Sequence, residues 1–327
     1  MLRILTEPQE GASYETLSRA ARVTEDGGFE AFFRSDHYLP IKSGSGLPGP
    51  TDAWVTLGAL ARETSRIRLG TLVTAATFRL PGPLAITVAQ VDEMSRGRLE
   101  LGIGTGWYEA EHTAYGIPFL SLGERFERLK EQLEIITGLW WTPMGETFTY
   151  IGRHYQLTDA PAIPKSAQPQ GPPIIIGGVG ARQTPWLAAR WAAEYNVPFR
   201  TMQDTVAAFD RVSAAIAAAG RTERMIYSAA QAVCCGRNTA ELKRRADVIS
   251  YDLTEMRPGG LSGSPAELVD KIGKFRESGC ERIYLQVLDL ADLDHIELIA
   301  SEVLPQVLTD RRAVRSIGSL EMPVELP

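Results

Sequence analysis

Eight short apolar runs recur along the chain, and between most of them apolar residues return every three or four positions. The runs are residues 2–5, 29–33, 67–73, 99–103, 174–176, 193–197, 225–233 and 282–287. They lack a clean apolar/polar alternation, as parallel strands buried on both faces do. The segments between them read as helices. Leu122, Phe126, Leu129, Leu133, Ile136 and Trp140 step by four and three into one stripe. Tyr14, Leu17 and Ala21 mark another helix, Val206, Phe209 and Ile216 a third, and Leu268, Ile272 and Phe275 a fourth. Ser121 and Glu124 fit a capping box at the start of the first stripe. The SPAE at 264–267 repeats that device, with Pro265 at the first helical position.

Eight strands alternating with helices imply a parallel sheet, either open and doubly wound or closed on itself. Eight repeats of the unit favour closure, which predicts an α/β fold of the (β/α)₈ TIM-barrel type. No stretch separates two domains, so residues 1–327 are expected to form one. The irregular stretch at about 142–173, rich in Pro, Gly and Gln, is expected to lie over the mouth of the barrel. A shorter break at 257–263 reads as a second mouth loop.

Composition narrows the function. The chain has 327 residues, is 44% hydrophobic and carries a formal net charge of -6, with no Lys/Arg block. That balance argues against a nucleic-acid partner. No stretch approaches the roughly 18 unbroken apolar residues of a membrane span, and the start has no secretory pattern, so a cytoplasmic location is expected. Of the three cysteines, Cys234 and Cys235 are adjacent and no CxxC spacing occurs. They read as buried small hydrophobes rather than a disulfide framework, and no Cys/His cluster asks for a metal.

In a parallel barrel the active site lies at the carboxyl ends of the strands. The second strand ends in Arg34-Ser35-Asp36-His37-Tyr38, and a strand-end histidine can act as general acid or base near neutral pH. The third strand runs into Thr74-Ala75-Ala76-Thr77, small residues that leave room for a flat ring or form a plain strand end. The fourth ends in Gly104-Thr105-Gly106-Trp107, where glycines permit close backbone approach or make an ordinary turn. Glu109, Glu111 and His112 follow and could flank the site, although helical spacing puts most such residues on a solvated face. The fifth strand is followed by Gly177-Gly178-Val179-Gly180-Ala181-Arg182 and a helix. Glycine-rich backbone entering a helix N-terminus is an anion site suited to phosphate.

Three segments carry a resemblance. They are the PQEGASYETLSRAARVTEDGGFEAFFRSDHYLP near the start, the SRIRLGTLVTAATFRLPGPLAITVAQVDEMSRGRLELGIGTGWYEAEHTAYGIPF through the third and fourth strands, and the PPIIIGGVGARQTPWLAARWA around the fifth. Together they resemble the luciferase-like monooxygenase superfamily, and in particular its deazaflavin (coenzyme F-420)-dependent oxidoreductases. The resemblance implies a flavin-like ring lying across the barrel mouth, against a bulge in the third strand. It implies a cis peptide at Leu72-Val73, with Val73, Thr74 and Ala75 touching the ring. Asp36 and His37 match the ring-side acidic and histidine positions, and His37 would transfer the proton as hydride moves. Gly104, Thr105 and Gly106 would line the ring edge or ribityl chain, and Gly177, Gly178, Val179 and Gly180 would hold the phosphate. In the sugar-phosphate dehydrogenases of that branch a catalytic Glu directly follows the GTG. Here the residue is Trp107, which counts against a sugar phosphate and suits packing on the ring or shaping an apolar pocket. The expected function is hydride transfer between F-420 and a small organic substrate. The alternative is an FMN-dependent two-component monooxygenase of the same fold. The resemblance also brings the expectations of a homodimer and of a separate enzyme that reduces the cofactor.

Overall fold

Each apolar run folds as a strand and each apolar stripe as a helix lying on the strands. A computed structural model describes residues 1–41, 46–253 and 260–308. The barrel strands are β1 (Leu2–Thr6), β2 (Ala31–Arg34), β3 (Arg68–Thr71), β4 (Leu99–Gly104), β5 (Ile174–Gly177), β6 (Glu194–Pro198), β7 (Ile226–Cys235) and β8 (Arg282–Val287). Every neighbouring pair is parallel, and β8 pairs with β1, so the sheet closes. The expected (β/α)₈ barrel is the fold.

The helices are α1 (Tyr14–Asp26), α2 (Ala53–Glu63), α3 (Pro81–Ser95), α4 (Glu109–Ala114), α5 (Leu122–Trp141), α6 (Gln183–Trp191), α7 (Met202–Ala218), α8 (Thr239–Val248), α9 (Pro265–Glu277) and α10 (Leu293–Leu298). The full capping box predicted for α9 is present, with Ser264 and Glu267 satisfying each other's backbone N–H. At α5 only half of it forms: Ser121 accepts from the Glu124 N–H, while the Glu124 carboxylate turns to Arg128 at 3.0 Å. Among the described residues no helix is long and apolar enough to cross a membrane.

The strands bury both faces, and alternation decides which residues face where. Leu2, Ile4, Phe32, Leu69, Leu101, Ile103, Ile174 and Ile176 belong to the large core shared with the helices. Leu5, Ala31, Phe33, Ile175, Ala230 and Tyr284 pack with each other inside the barrel. The floor of the barrel is ionic. Arg3 is fully buried and bonds Glu100 at 2.6 Å and the Tyr284 hydroxyl at 2.9 Å. Tyr284 in turn donates to Glu194 at 2.8 Å. None of these partners was apparent in the sequence.

The segment 142–173 departs from expectation in form and in place. It contains an antiparallel hairpin of Phe148–Ile151 and Gln156–Ala160. This hairpin lies along the outside of α5 rather than over the mouth. Tyr150 bonds Glu134 at 2.7 Å, and the N–H groups of Arg153, His154 and Tyr155 converge on the Glu131 carboxylate. Lys165 then donates to the carbonyl of Leu139 at 3.0 Å, near the end of α5. A buried glutamate offering acceptors at mid-helix draws the hairpin tip onto α5. The mouth is built instead by the loops that follow β2 and β4. Of the break at 257–263, residues 257–259 lie outside the described residues. Leu261–Gly263 form a short strand beside the end of β7.

Candidate active site

Alternation along β2 sorts the residues at its end. Arg34 faces outward, where it bonds Thr51, Thr56 and the carbonyl of Thr51 near the start of α2. Asp36 follows the same side: it is buried, and Arg79 clamps it together with Asp52. Burial works against the Arg79 cation, but Asp36 and Asp52 outweigh it and raise its pKa. Ser35 takes the other side and donates to Gln9 at 2.7 Å.

His37 lies at the mouth with 17% of its side chain exposed. Its Nδ1 is 2.9 Å from Oε1 of Glu111. The other oxygen of Glu111 accepts the Tyr38 N–H at 2.9 Å, and the side chain of Glu111 is only 1% exposed. Burial pulls the His37 pKa down. The Glu111 hydrogen bond and the charges of Glu7, Glu111 and Asp36 more than reverse this, so the pKa is raised. Glu7 is buried at the end of β1, where it accepts from Gln9 at 2.7 Å and Gln286 at 2.8 Å.

After Thr71 the third strand breaks at Leu72-Val73, whose peptide is cis, and resumes as a short strand Thr74–Ala75 beside β4. The Thr74 hydroxyl is turned to the helix layer, 3.2 Å from the Trp54 indole nitrogen. Thr74 and Ala75 are buried, and Leu72 packs against the barrel interior. Val73 projects over the mouth floor. A Cβ at Gly104 would meet its Cγ2 at 3.0 Å, and one at Gly177 its Cγ1 at 3.4 Å. Glycine at these positions therefore keeps a shallow floor with Val73 as its ridge.

Gly106 adopts φ +76°, and a Cβ there would meet the Thr77 hydroxyl at 2.7 Å. Arg125 grips the Gly106 carbonyl and stacks on Phe119 at 4.2 Å. Thr105 donates to the same carbonyl at 3.3 Å. That turn sends Trp107 outward, 61% exposed, with its ring centroid 5.7 Å from that of His37 and the two rings nearly perpendicular. His112, which the sequence set beside Glu111, is fully buried between the Thr77 hydroxyl and the Tyr108 carbonyl, each 2.7 Å away.

On the other side, Gly178 has φ +131° and its carbonyl accepts the Tyr195 hydroxyl at 2.6 Å. Val179 is half-buried, and Gly180, Ala181 and Arg182 are exposed. No side chain caps α6, so its first-turn N–H groups are open to a ligand. The cysteines stay out of this chemistry: burial pushes the thiols of Cys234 and Cys235 up to about 11 and about 12.

The sequence profile of the luciferase-like monooxygenases matches residues 2–258. The chain belongs to that family. An F-420-dependent glucose-6-phosphate dehydrogenase of Microbacterium testaceum is 39% identical over 174 residues. That match covers 53% of this chain and 49% of the relative, so the chain spans about half the length of that dehydrogenase. Among solved structures, an F-420-dependent secondary alcohol dehydrogenase in complex with an F-420-acetone adduct superposes with a TM-score of 0.81. It shows 18% identity, covering 94% of this luciferase-like chain and 98% of that one. The oxygenating constituent of a diketocamphane monooxygenase of Pseudomonas putida, in complex with FMN, gives a TM-score of 0.70 and 19% identity. Here 90% and 93% of the two chains are covered. The structural likenesses establish the shared barrel.

Of the three polar residues that could flank the site, Glu111 is the one buried behind His37. Arg79 carried no signal, because its partners Asp36 and Asp52 come from a separate loop.

Proposed function

We propose that this chain is an oxidoreductase moving hydride between the deazaflavin coenzyme F-420 and a small organic substrate, with His37 giving or taking the proton. The carrying observation is the His37–Glu111 pair at a strand end of the mouth. Glu111 holds Nδ1, which leaves Nε2 as the atom that exchanges a proton. No other described group bonds that nitrogen. The raised pKa keeps His37 able to donate near neutral pH.

The residues present suit the cofactor. The Val73 ridge over Gly104 and Gly177 offers a shallow apolar seat for a flat ring, flanked by Ala75 and Gly106. Gly177 to Gly180 and the uncapped start of α6 suit a phosphate tail. When bound, the deazaflavin supplies a ring carbon that carries hydride. The protein orients the substrate beside it, excludes water and manages the proton. Asp36 reaches the site indirectly, by fixing Arg79 and the loop that carries it.

F-420 is favoured over FMN by the relative named as F-420-dependent, 39% identical over 174 residues. FMN remains the alternative. Trp107 in place of a carboxylate favours a substrate other than a sugar phosphate. The test is His37→Ala. F-420 binding, followed by absorbance, is expected to stay within about twofold of the parent, while turnover falls roughly 10²–10⁴-fold. Unchanged turnover would remove His37 from the mechanism.

A further inference from the structure

We infer that Trp107 is a preformed stacking platform for the substrate, and that the substrate presents to it a flat, uncharged, conjugated group. This deepens the function proposed above and rests on His37 marking the reacting end of the mouth.

Exposure alone would say little, since single apolar side chains are common on surfaces. What sets Trp107 apart is how firmly it is held. Gly106 turns the chain in a left-handed conformation, and Arg125 fixes its carbonyl. The indole lies on the Tyr108 ring, 5.3 Å between centroids and 25° from parallel. Tyr108 is itself pinned: its hydroxyl donates to Pro40 at 3.0 Å and its carbonyl meets His112 at 2.7 Å. One face of the indole is thus covered while 61% of the residue stays open beside His37. An aromatic face whose ordering cost is already met binds a flat partner with little further loss.

Charge narrows the partner. The negative face of the indole and the carboxylates of Glu7 and Glu111 disfavour an anion. Arginines tied to these loops are committed, Arg125 to the Gly106 and Leu120 carbonyls, Arg79 to Asp36 and Asp52, and Arg34 to Thr51 and Thr56. A cation finds no free carboxylate in this pair: Glu111 is turned to His37 Nδ1 and the Tyr38 N–H, and Glu7 to Gln9 and Gln286. An uncharged conjugated ring remains.

The test measures binding of acetylnaphthalene, its fully saturated counterpart, naphthoate and naphthyltrimethylammonium, with and without F-420 present. The wild-type protein is expected to prefer the flat ketone over the saturated one by up to about tenfold, and over both ions. Trp107→Phe should keep most of the preference and Trp107→Ala should abolish it. Because the indole is exposed, both variants should give the wild-type circular dichroism spectrum. Absence of the preference in the wild type, its survival in Trp107→Ala, or tighter binding of either ion would overturn the inference. F-420 affinity, read separately by absorbance, keeps the two readings apart. A Trp107-dependent preference in a protein that never binds F-420 would support the platform and sink the cofactor.

Discussion

At the scale of single residues, the site turns on one histidine and the carboxylate behind it. Glu111 holds the imidazole through Nδ1 and raises its pKa together with Glu7 and Asp36, against the lowering effect of burial. Glu111→Gln keeps the shape and removes the charge. The His37 pKa should then fall, and the limb of the pH–rate profile that reports it should move to lower pH. NMR titration of the His37 ring protons in the cofactor-free protein reads the same shift. A folded pKa above the free value near 6.5 stabilises the fold at pH below that value, and the contribution is lost as pH rises through the raised one. Glu111→Gln should therefore cost more stability at pH 5 than at pH 9. His37 was legible because a strand terminus is where a parallel barrel keeps its chemistry. Glu111 was legible only as one of three polar residues that could flank the site, because helical spacing sends such residues to solvent more often than behind a strand-end histidine. Asp36 is instructive: with Arg34 facing outward, the period of two along β2 already assigns Asp36 to the outer side with it.

At the scale of elements, glycines shape the mouth more than polar residues do. A Cβ at Gly102, in the middle of β4, would stand 2.0 Å from the Thr71 carbonyl oxygen and 3.1 Å from Val73. Backbone cannot yield that distance, so Gly102→Ala is expected to push β3 and β4 apart. The predicted cost is about 3 kcal/mol or more, at the upper end for overpacking, read by chemical denaturation. Ser264→Ala should cost about 1 kcal/mol by removing the cap of α9 without touching the mouth. The eight barrel strands could be read from apolar runs because both of their faces are buried. The hairpin at Phe148–Ile151 and Gln156–Ala160 could not. Only its inner positions are half-buried against α5, so its apolar signal is thin, and the surrounding Pro and Gly drown it. Its seat on Glu131 is a tertiary contact that no local pattern announces.

At the scale of the whole molecule, the barrel separates a charged floor from a reactive mouth. Arg3, Glu100, Glu194, Arg282 and Tyr284 tie β1, β4, β6 and β8 together beneath the apolar interior. Burial disfavours the Glu100 carboxylate, but Arg3, Arg68 and Arg282 overcome it and bring its pKa to about 2. A depressed carboxylate stabilises the fold above its free value of 4.5 and loses that contribution as pH falls toward 2. Glu100→Gln removes one of the two carboxylates bonded to Arg3, leaving Glu30, and should cost about 1.5–3 kcal/mol at pH 7, with the gap to wild type narrowing below pH 4.5 in urea unfolding curves. With the floor so braced, the glycines and main-chain amides of the mouth are the seat proposed for the cofactor. The direct measurement is a parallel titration of the purified protein with oxidised F-420 and with FMN, followed by visible absorbance and fluorescence. The account predicts saturable F-420 binding and FMN binding that is weaker or absent. Tight FMN binding with no response to F-420 would contradict it.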